Sequence, residues 1–133
     1  MPDTLHPSDE LDAGKSGTDK YTVPALQRGM QLLAQFTRQE PALTGAELSR
    51  RLGLPRASVF RILQTLEQMG FVERVGDGPS YKLGIAVLRL GFEFLASMEL
   101  TEHGRPIIDE LANATGLSAH IVVRDGTEVV FVA

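Results

Sequence analysis

The segment from Leu43 to Pro55 constrains the fold of this chain more than any other stretch. Thr44 is a good helix N-cap and Glu47 stands three residues later, so the two can satisfy each other's neighbouring backbone as a capping box. Leu43 and Leu48 occupy the positions of a hydrophobic staple around that cap. Leu48 and Leu52 then share one helical face, and Gly53 supplies the left-handed residue that stops the helix. Only Leu54 intervenes before Pro55, which suits the first turn of a new helix. Two short helices joined by a tight glycine turn predict a helix-turn-helix.

The second helix is expected over Pro55–Met69, with Gly70 as its stop. Val59, Ile62, Leu63, Leu66 and Met69 recur on one face, while Ala57, Phe60, Arg61, Gln64 and Gln68 fall on the other, with Arg56 and Ser58 flanking it in the first turn. The period then changes. Phe71 to Val75 reads as a strand, Gly76-Asp77-Gly78-Pro79 as a turn and Ser80 to Leu83 as a returning strand, which is the pattern of a wing. Upstream, helical periodicity starts after Pro24, with Leu26, Met30, Leu33 and Phe36 on one face and Leu32 beside it; Pro41 closes the segment. Gly29 weakens that helix but allows close packing there.

Charge is distributed unevenly. Residues 1–20 carry two Lys against five acids, residues 21–82 carry eight Lys and Arg against five acids, and residues 83–133 carry three Arg against seven acids. The net charge of −4 therefore conceals a basic centre, and a basic segment can meet phosphate locally in an acidic chain. The polar first 20 residues cannot bury enough surface to offset their ordering entropy and are expected to be disordered. With no Cys, the chain has no disulfide framework, thiol nucleophile or Cys-based zinc site, which fits the cytoplasm. His6, His103 and His120 lack metal-ligand spacing, and no cofactor is implied. No apolar run reaches the roughly 20 residues that span a bilayer, so no membrane partner is expected. With no phosphate loop, nucleophile elbow or placed carboxylate pair, the chain does not read as an enzyme.

A helix with one face locked to a scaffold and a polar face outward suits the major groove, where base edges show distinct donor and acceptor patterns. The candidate DNA-binding residues are Thr44, Arg56, Ala57, Ser58, Phe60, Arg61, Gln64, Arg74 and Lys82. Arginine matches guanine or phosphate, Gln64 matches adenine, and Ala57 and Phe60 can touch a thymine methyl. Thr44 begins a helix whose backbone N–H groups can meet phosphate, and Arg74 and Lys82 on the wing can reach backbone or minor groove. Each residue also has a plainer reading: Arg61 as a solvated charge, Phe60 as packing against the wing, Arg50-Arg51 as a solvated helix end.

From Gly84 to Met98 only Arg89, Glu93 and Ser97 are clearly polar, in one narrow stripe. A helix apolar on nearly all other sides must be buried on several of them. It reads as a linker between the winged domain and a partner subunit, with Leu88, Phe92 and Leu95 as dimerisation residues, or else as the core helix of one domain. Residues 101–116 predict another helix, with Ile107, Ile108, Leu111 and Ala112 inward, Gly116 as its stop and Pro106 delaying or kinking it. Ala119 to Arg124, an Asp125-Gly126 turn and Thr127 to Val132 predict a hairpin. A lone hairpin is marginal in water, so the chain is expected to be a fragment of a longer regulator or a truncated product.

Val23 to Leu33, Leu48 to Pro55, Ser58 to Leu66, Tyr81 to Gly84, Leu88 to Gly91 and Pro106 to Ala112 together closely resemble the IclR family of transcription regulators over roughly residues 21–133. The resemblance implies a fold that is mainly α with a β wing: a disordered tail over 1–20, a winged helix-turn-helix over 21–83, a linker and dimerisation helix over 84–98, and over 99–133 the start of an incomplete α/β effector-binding domain. It implies a sequence-specific regulator, repressor or activator, of a catabolic operon. The partners implied are double-stranded operator DNA, a second copy (a homodimer, or a tetramer in a full-length form) and a small organic effector bound by the C-terminal domain. Ala57-Ser58 and Phe60 depart from the Ser-Thr and His frequent in the family, which touches the reading face and hence operator choice. The alternative is a truncated dimerisation module that modulates intact regulators without binding DNA.

Overall fold

The computed structural model describes residues 20–133, so the expected tail falls, apart from Lys20, outside the described residues. The chain divides between Leu83 and Gly84 into two compact units. The first contains α1 (Pro24–Leu33), β1 (Leu43–Thr44), α2 (Gly45–Leu52), α3 (Arg56–Gln68), β2 (Val72–Arg74) and β3 (Ser80–Leu83). The second contains α4 (Ile85–Ala96), α5 (Glu99–Thr115), β4 (Val122–Asp125) and β5 (Glu128–Phe131).

The core of the first unit is Leu32, Phe36, Leu43, Leu48, Val59, Leu63, Val72 and Tyr81, with Leu33, Leu52, Leu54, Ile62 and Leu66 packed around it. The capping box forms as its sequence requires. The Glu47 N–H donates to Thr44 Oγ1 at 3.2 Å, and the Thr44 N–H donates to Glu47 Oε2 at 2.8 Å. Leu43 and Leu48, the staple pair, are both buried. Gly53 ends α2 at φ 64°, and the Leu54 N–H returns to the Ser49 carbonyl at 3.1 Å. The three-stranded sheet has the order β1-β3-β2, all antiparallel, with Leu43 opposite Tyr81 and Val72 opposite Leu83. The two-residue strand β1 has no period of its own and was not expected.

The face expected on α1 is corrected. Leu32 and Phe36 are buried, whereas Leu26 is 64% and Met30 60% exposed. At 100° per residue the inward direction lies between Leu33, Gly29 and Leu32, which puts Leu26 and Met30 at its outer edge. Phe36 lies beyond the end of the helix and reaches the core from the following turn. Met69 also departs from expectation: it is the C-cap of α3 and is 57% exposed, outside the face that buries Val59 and Leu63.

In the second unit, α5 starts at Glu99 and runs through Pro106 without stopping, so the expected late start is corrected; Pro106 has no N–H to offer the preceding turn. Ile107 and Leu111, expected inward, are exposed. Packing instead uses Gly104, where an added Cβ would collide with Ile121 Cδ1 beside the hairpin. The hairpin turn is one residue later than expected. Asp125 pairs with Glu128, and Gly126-Thr127 forms the loop, with Gly126 at φ 59°. Both favoured two-residue hairpin turns require a positive φ at the first loop position, which glycine adopts without strain. On α4, Leu88, Leu90, Phe92 and Phe94 are exposed, so this chain alone does not supply the burial that their pattern calls for.

Two outcomes follow from the first unit. A Cβ at Gly29 would sit 3.9 Å from Ile62 Cγ2, an ordinary contact, so the close approach expected there leaves room for a methyl. Gly29→Ala should raise unfolding stability by up to about 1 kcal/mol through helix propensity, read as an increased denaturant midpoint. The second concerns acid. Hydrogen bonding from Arg51 holds the Glu40 carboxyl below its ordinary 4.5, and hydrogen bonding from the Thr44 backbone does the same for Glu47. Both folded values lie below the unfolded ones. Their stabilisation is therefore present above pH 4.5 and is lost as pH falls through the lowered folded values. Glu40→Gln should flatten the loss of stability in that acid range, measured by urea unfolding across pH.

Candidate nucleic-acid interface

The turn before α3 is held from both sides. Ser49 Oγ donates to the Leu54 carbonyl at 2.5 Å, and Gly53 supplies the left-handed step. Pro55 takes the N-cap position at φ −58° and ψ 145° rather than the first helical position, and α3 begins at Arg56. The buried Val59 and Leu63 fix the rotation of the helix about its axis. Arg56, Ala57, Phe60, Arg61 and Gln64 are consequently exposed, and Ser58 is half-buried.

The wing sorts its own cations by strand alternation. Arg74 lies directly opposite Tyr81, on the face that turns toward the core, and its guanidinium stands 5.4 Å from the centre of the Tyr81 ring. Lys82 pairs with Glu73 on the other face, Nζ to Oε1 3.1 Å, so its charge is already partnered. The two wing cations expected to act alike thus face opposite ways. Arg74 joins Arg56 and Phe60 around a shallow cleft of about 300 Å³, completed by Gly45, Ala46, Leu63, Pro79 and Tyr81. Phe60 is 49% exposed, lining this cleft rather than filling the core.

Thr44 takes the capping role its position suggested, and that role engages the groups with which it would meet a phosphate. Its own N–H and its hydroxyl both donate to Glu47 Oε2, so neither is available to a phosphate. The first N–H groups of α2, which lack intrahelical acceptors, belong to Gly45 and Ala46 at the cleft. Arg51 is engaged as well, in a two-pronged pair with Glu40 at 2.7 and 2.9 Å, while its neighbour Arg50 is exposed. Tyr81, Pro79, Gly45 and Ala46 were not among the expected site residues. Tyr81 was nonetheless legible as the inward aromatic in the alternation of Ser80 to Leu83.

In the second unit, Leu88 and Phe92 lie exposed on α4 and Leu95 is half-buried, at spacings that place them on one side of the helix. Among the described residues, no helix is long and apolar enough to cross a membrane.

A capped helix, a glycine turn, a second helix with an exposed polar face and a β-hairpin packed beside it make the first unit a winged helix-turn-helix. Residues 25–76 match the family model described as the IclR helix-turn-helix domain. The chain is 32% identical over 79% of its length to the HTH-type transcriptional regulator KipR of Bacillus subtilis, covering 41% of that protein. It is 30% identical over 99% of its length to the Pca regulon regulatory protein of Pseudomonas putida, covering 44% of it. A crystal structure of an IclR family transcriptional regulator from Brucella abortus superposes with a TM-score of 0.77 at 30% identity, over 92% of this chain and 47% of that one. Residues 25–76 thus carry an IclR helix-turn-helix domain, and the relatives named here are transcription regulators. It spans less than half the length of these relatives.

Because Phe60 lines a surface cleft and Leu63 lies in the core, their truncations should separate. Phe60→Ala is expected to cost less than about 1.5 kcal/mol of stability and Leu63→Ala about 2–5 kcal/mol, compared by chemical denaturation.

Proposed function

We propose that this chain is a sequence-specific DNA-binding module of a transcription regulator, with α3 as the reading helix in the major groove. The observation that carries this reading is the two-sidedness of α3. Val59 and Leu63 anchor one side in the core, and Arg56, Ala57, Phe60, Arg61 and Gln64 stand exposed on the other. Such a helix presents hydrogen-bond donors and apolar groups to base edges without losing its scaffold. Arg56 and Arg61 suit guanine or phosphate, Ala57 and Phe60 a thymine methyl, and Gln64 an adenine, with Ser58 at the edge of the surface. Arg74 approaches the DNA backbone from the wing. Lys82 takes part only where the duplex displaces Glu73.

The module works as a homodimer on two half-sites about one helical turn apart. Two apolar surfaces support that reading, the exposed Leu26 and Met30 on α1 and, separately, the exposed Leu88 and Phe92 with the half-buried Leu95 on α4. By kinship with regulators such as the Pca regulon protein, it serves a catabolic operon in the cytoplasm under control of a small organic effector bound by the C-terminal domain. The apolar circumference of α4 also favours a second reading, an interaction module that pairs with intact regulators and leaves DNA alone.

Genomic fragments selected by the purified protein would supply the operator for a salt-dependent gel shift. Retarded duplex is expected, with Arg61→Ala weakening operator binding by about 1–3 kcal/mol if its contact to a base is bidentate. Absence of binding to any duplex, even at low salt, would favour the interaction module. An unchanged footprint of the Arg61 variant would remove that residue from the reading set.

A further inference from the structure

The described cations fall into two groups by their partners. Arg51 and Lys82 are tied to carboxylates, at 2.7 and 3.1 Å. The other described arginines form no salt bridge among the described residues, and of these Arg56 and Arg74 line the same cleft. Arg56 enters it from the first turn of α3 and Arg74 from the end of β2. Two unneutralised guanidiniums around one small depression repel each other and are best satisfied by an anion between them.

Arg74 also differs from every other described arginine in resting on an aromatic ring. The ring is well placed to be a platform. Tyr81 is 5% exposed, belongs to the core cluster, and sits in direct register with Arg74 on the neighbouring strand. Its position is therefore fixed by packing that does not involve Arg74. A long side chain at the end of a short hairpin otherwise loses considerable rotamer freedom when it binds.

We propose that Tyr81 is a positioning residue for DNA binding: its ring holds the Arg74 guanidinium over the cleft shared with Arg56, so that the two arginines close on one backbone phosphate of the duplex. The proposal rests on the DNA-binding reading above and assigns a specific contact within it. It also explains why one wing cation is held ready while the other, Lys82, is neutralised by Glu73. The contact carries no base information. It sets the register of the duplex against α3.

The test has one arm without DNA and one with it. In the free protein, ring-current shifts should move the Arg74 side-chain methylene resonances upfield in the wild type and in Tyr81→Phe, and that displacement should vanish in Tyr81→Leu. Random-coil positions in the wild type would overturn the proposal whatever the DNA results. In the second arm, affinity is measured against salt concentration on operator and unrelated duplex. Arg74→Ala should weaken both duplexes alike and make the slope of log K against log salt shallower by about 1. Y81F should bind as wild type, and Y81L should bind roughly two- to fivefold more weakly. In the Arg74→Ala background, Y81L should cause no further loss. A full additional loss there would mean that Tyr81 acts only through the core, and an unchanged salt slope in Arg74→Ala would remove the phosphate contact; either overturns the proposal. If Y81L does not fold, Arg74→Lys replaces it. Lysine keeps the charge but not the planar group that stacks on the ring, so it should preserve the slope and lose affinity; wild-type affinity would refute the platform. A wild type that binds no duplex at low salt would overturn the DNA reading and the clamp together, and the resonance shifts would still report whether the Arg74–Tyr81 contact exists.

Discussion

The first unit depends on two consecutive residues, Leu43 and Thr44. Leu43 lies in the core opposite Tyr81, which joins the segment before α2 to the wing strand β3. Thr44 pairs with Ser80 and at the same time caps α2 through Glu47. One short strand thus ends where a helix begins, and that coincidence couples the wing to the helix-turn-helix. The wing is not an appendage hanging from the end of α3. Its middle strand is pinned on one side by β2 and on the other by the chain that starts α2. Because both partners of β3 are fixed, the alternation of its side chains is fixed too, and Tyr81 points inward while Lys82 points away.

This coupling gives the exposed chemistry its arrangement. The buried residues Val59 and Leu63 orient α3, and the buried ring of Tyr81 orients Arg74. Apolar packing on one side of each element therefore decides which cations meet around the cleft. Elsewhere in the unit Arg28, Arg38, Arg50 and Arg61 also form no salt bridge among the described residues, and only part of the remaining charge is handled locally. Arg51 goes to Glu40, Lys82 to Glu73, and the Glu47 carboxylate to the Thr44 cap. A net charge of −4 is no obstacle to a basic surface when pairing leaves most arginines of the unit unneutralised.

The second unit follows a different logic. Its helices and hairpin form with clear local signals, including the left-handed glycines Gly116 and Gly126, yet much of its apolar surface remains uncovered. Packing within it relies on the absence of a side chain at Gly104, which lets Ile121 approach α5. The exposed Leu88, Leu90, Phe92 and Phe94 of α4 form the most extensive run of uncovered apolar residues among the described ones. Apolar surface of this kind is what protein–protein interfaces use.

The sequence by itself determined the order of the helices and of the two hairpins, the capping box at Thr44 and Glu47, the glycine turn at Gly53, the side of α3 that buries Val59 and Leu63 and the presence of a wing. All of these rest on interactions within a few residues, where spacing translates directly into geometry. The face of α1 was misread because a 10-residue helix bearing Leu26, Met30, Leu32 and Leu33 offers two apolar directions, and only the neighbours α2 and α3 choose between them. The hairpin turn at Gly126-Thr127 was misplaced by one residue because register is set by pairing along both strands and not by the Asp-Gly pair alone. The gathering of Arg56, Phe60, Arg74 and Tyr81 around one cleft was likewise beyond the sequence. These residues are up to 25 positions apart, from Arg56 to Tyr81, and they meet only because β1 holds the wing against the start of α2. The helix-turn-helix was thus written in local chemistry, and the site in the long-range pairing of a two-residue strand.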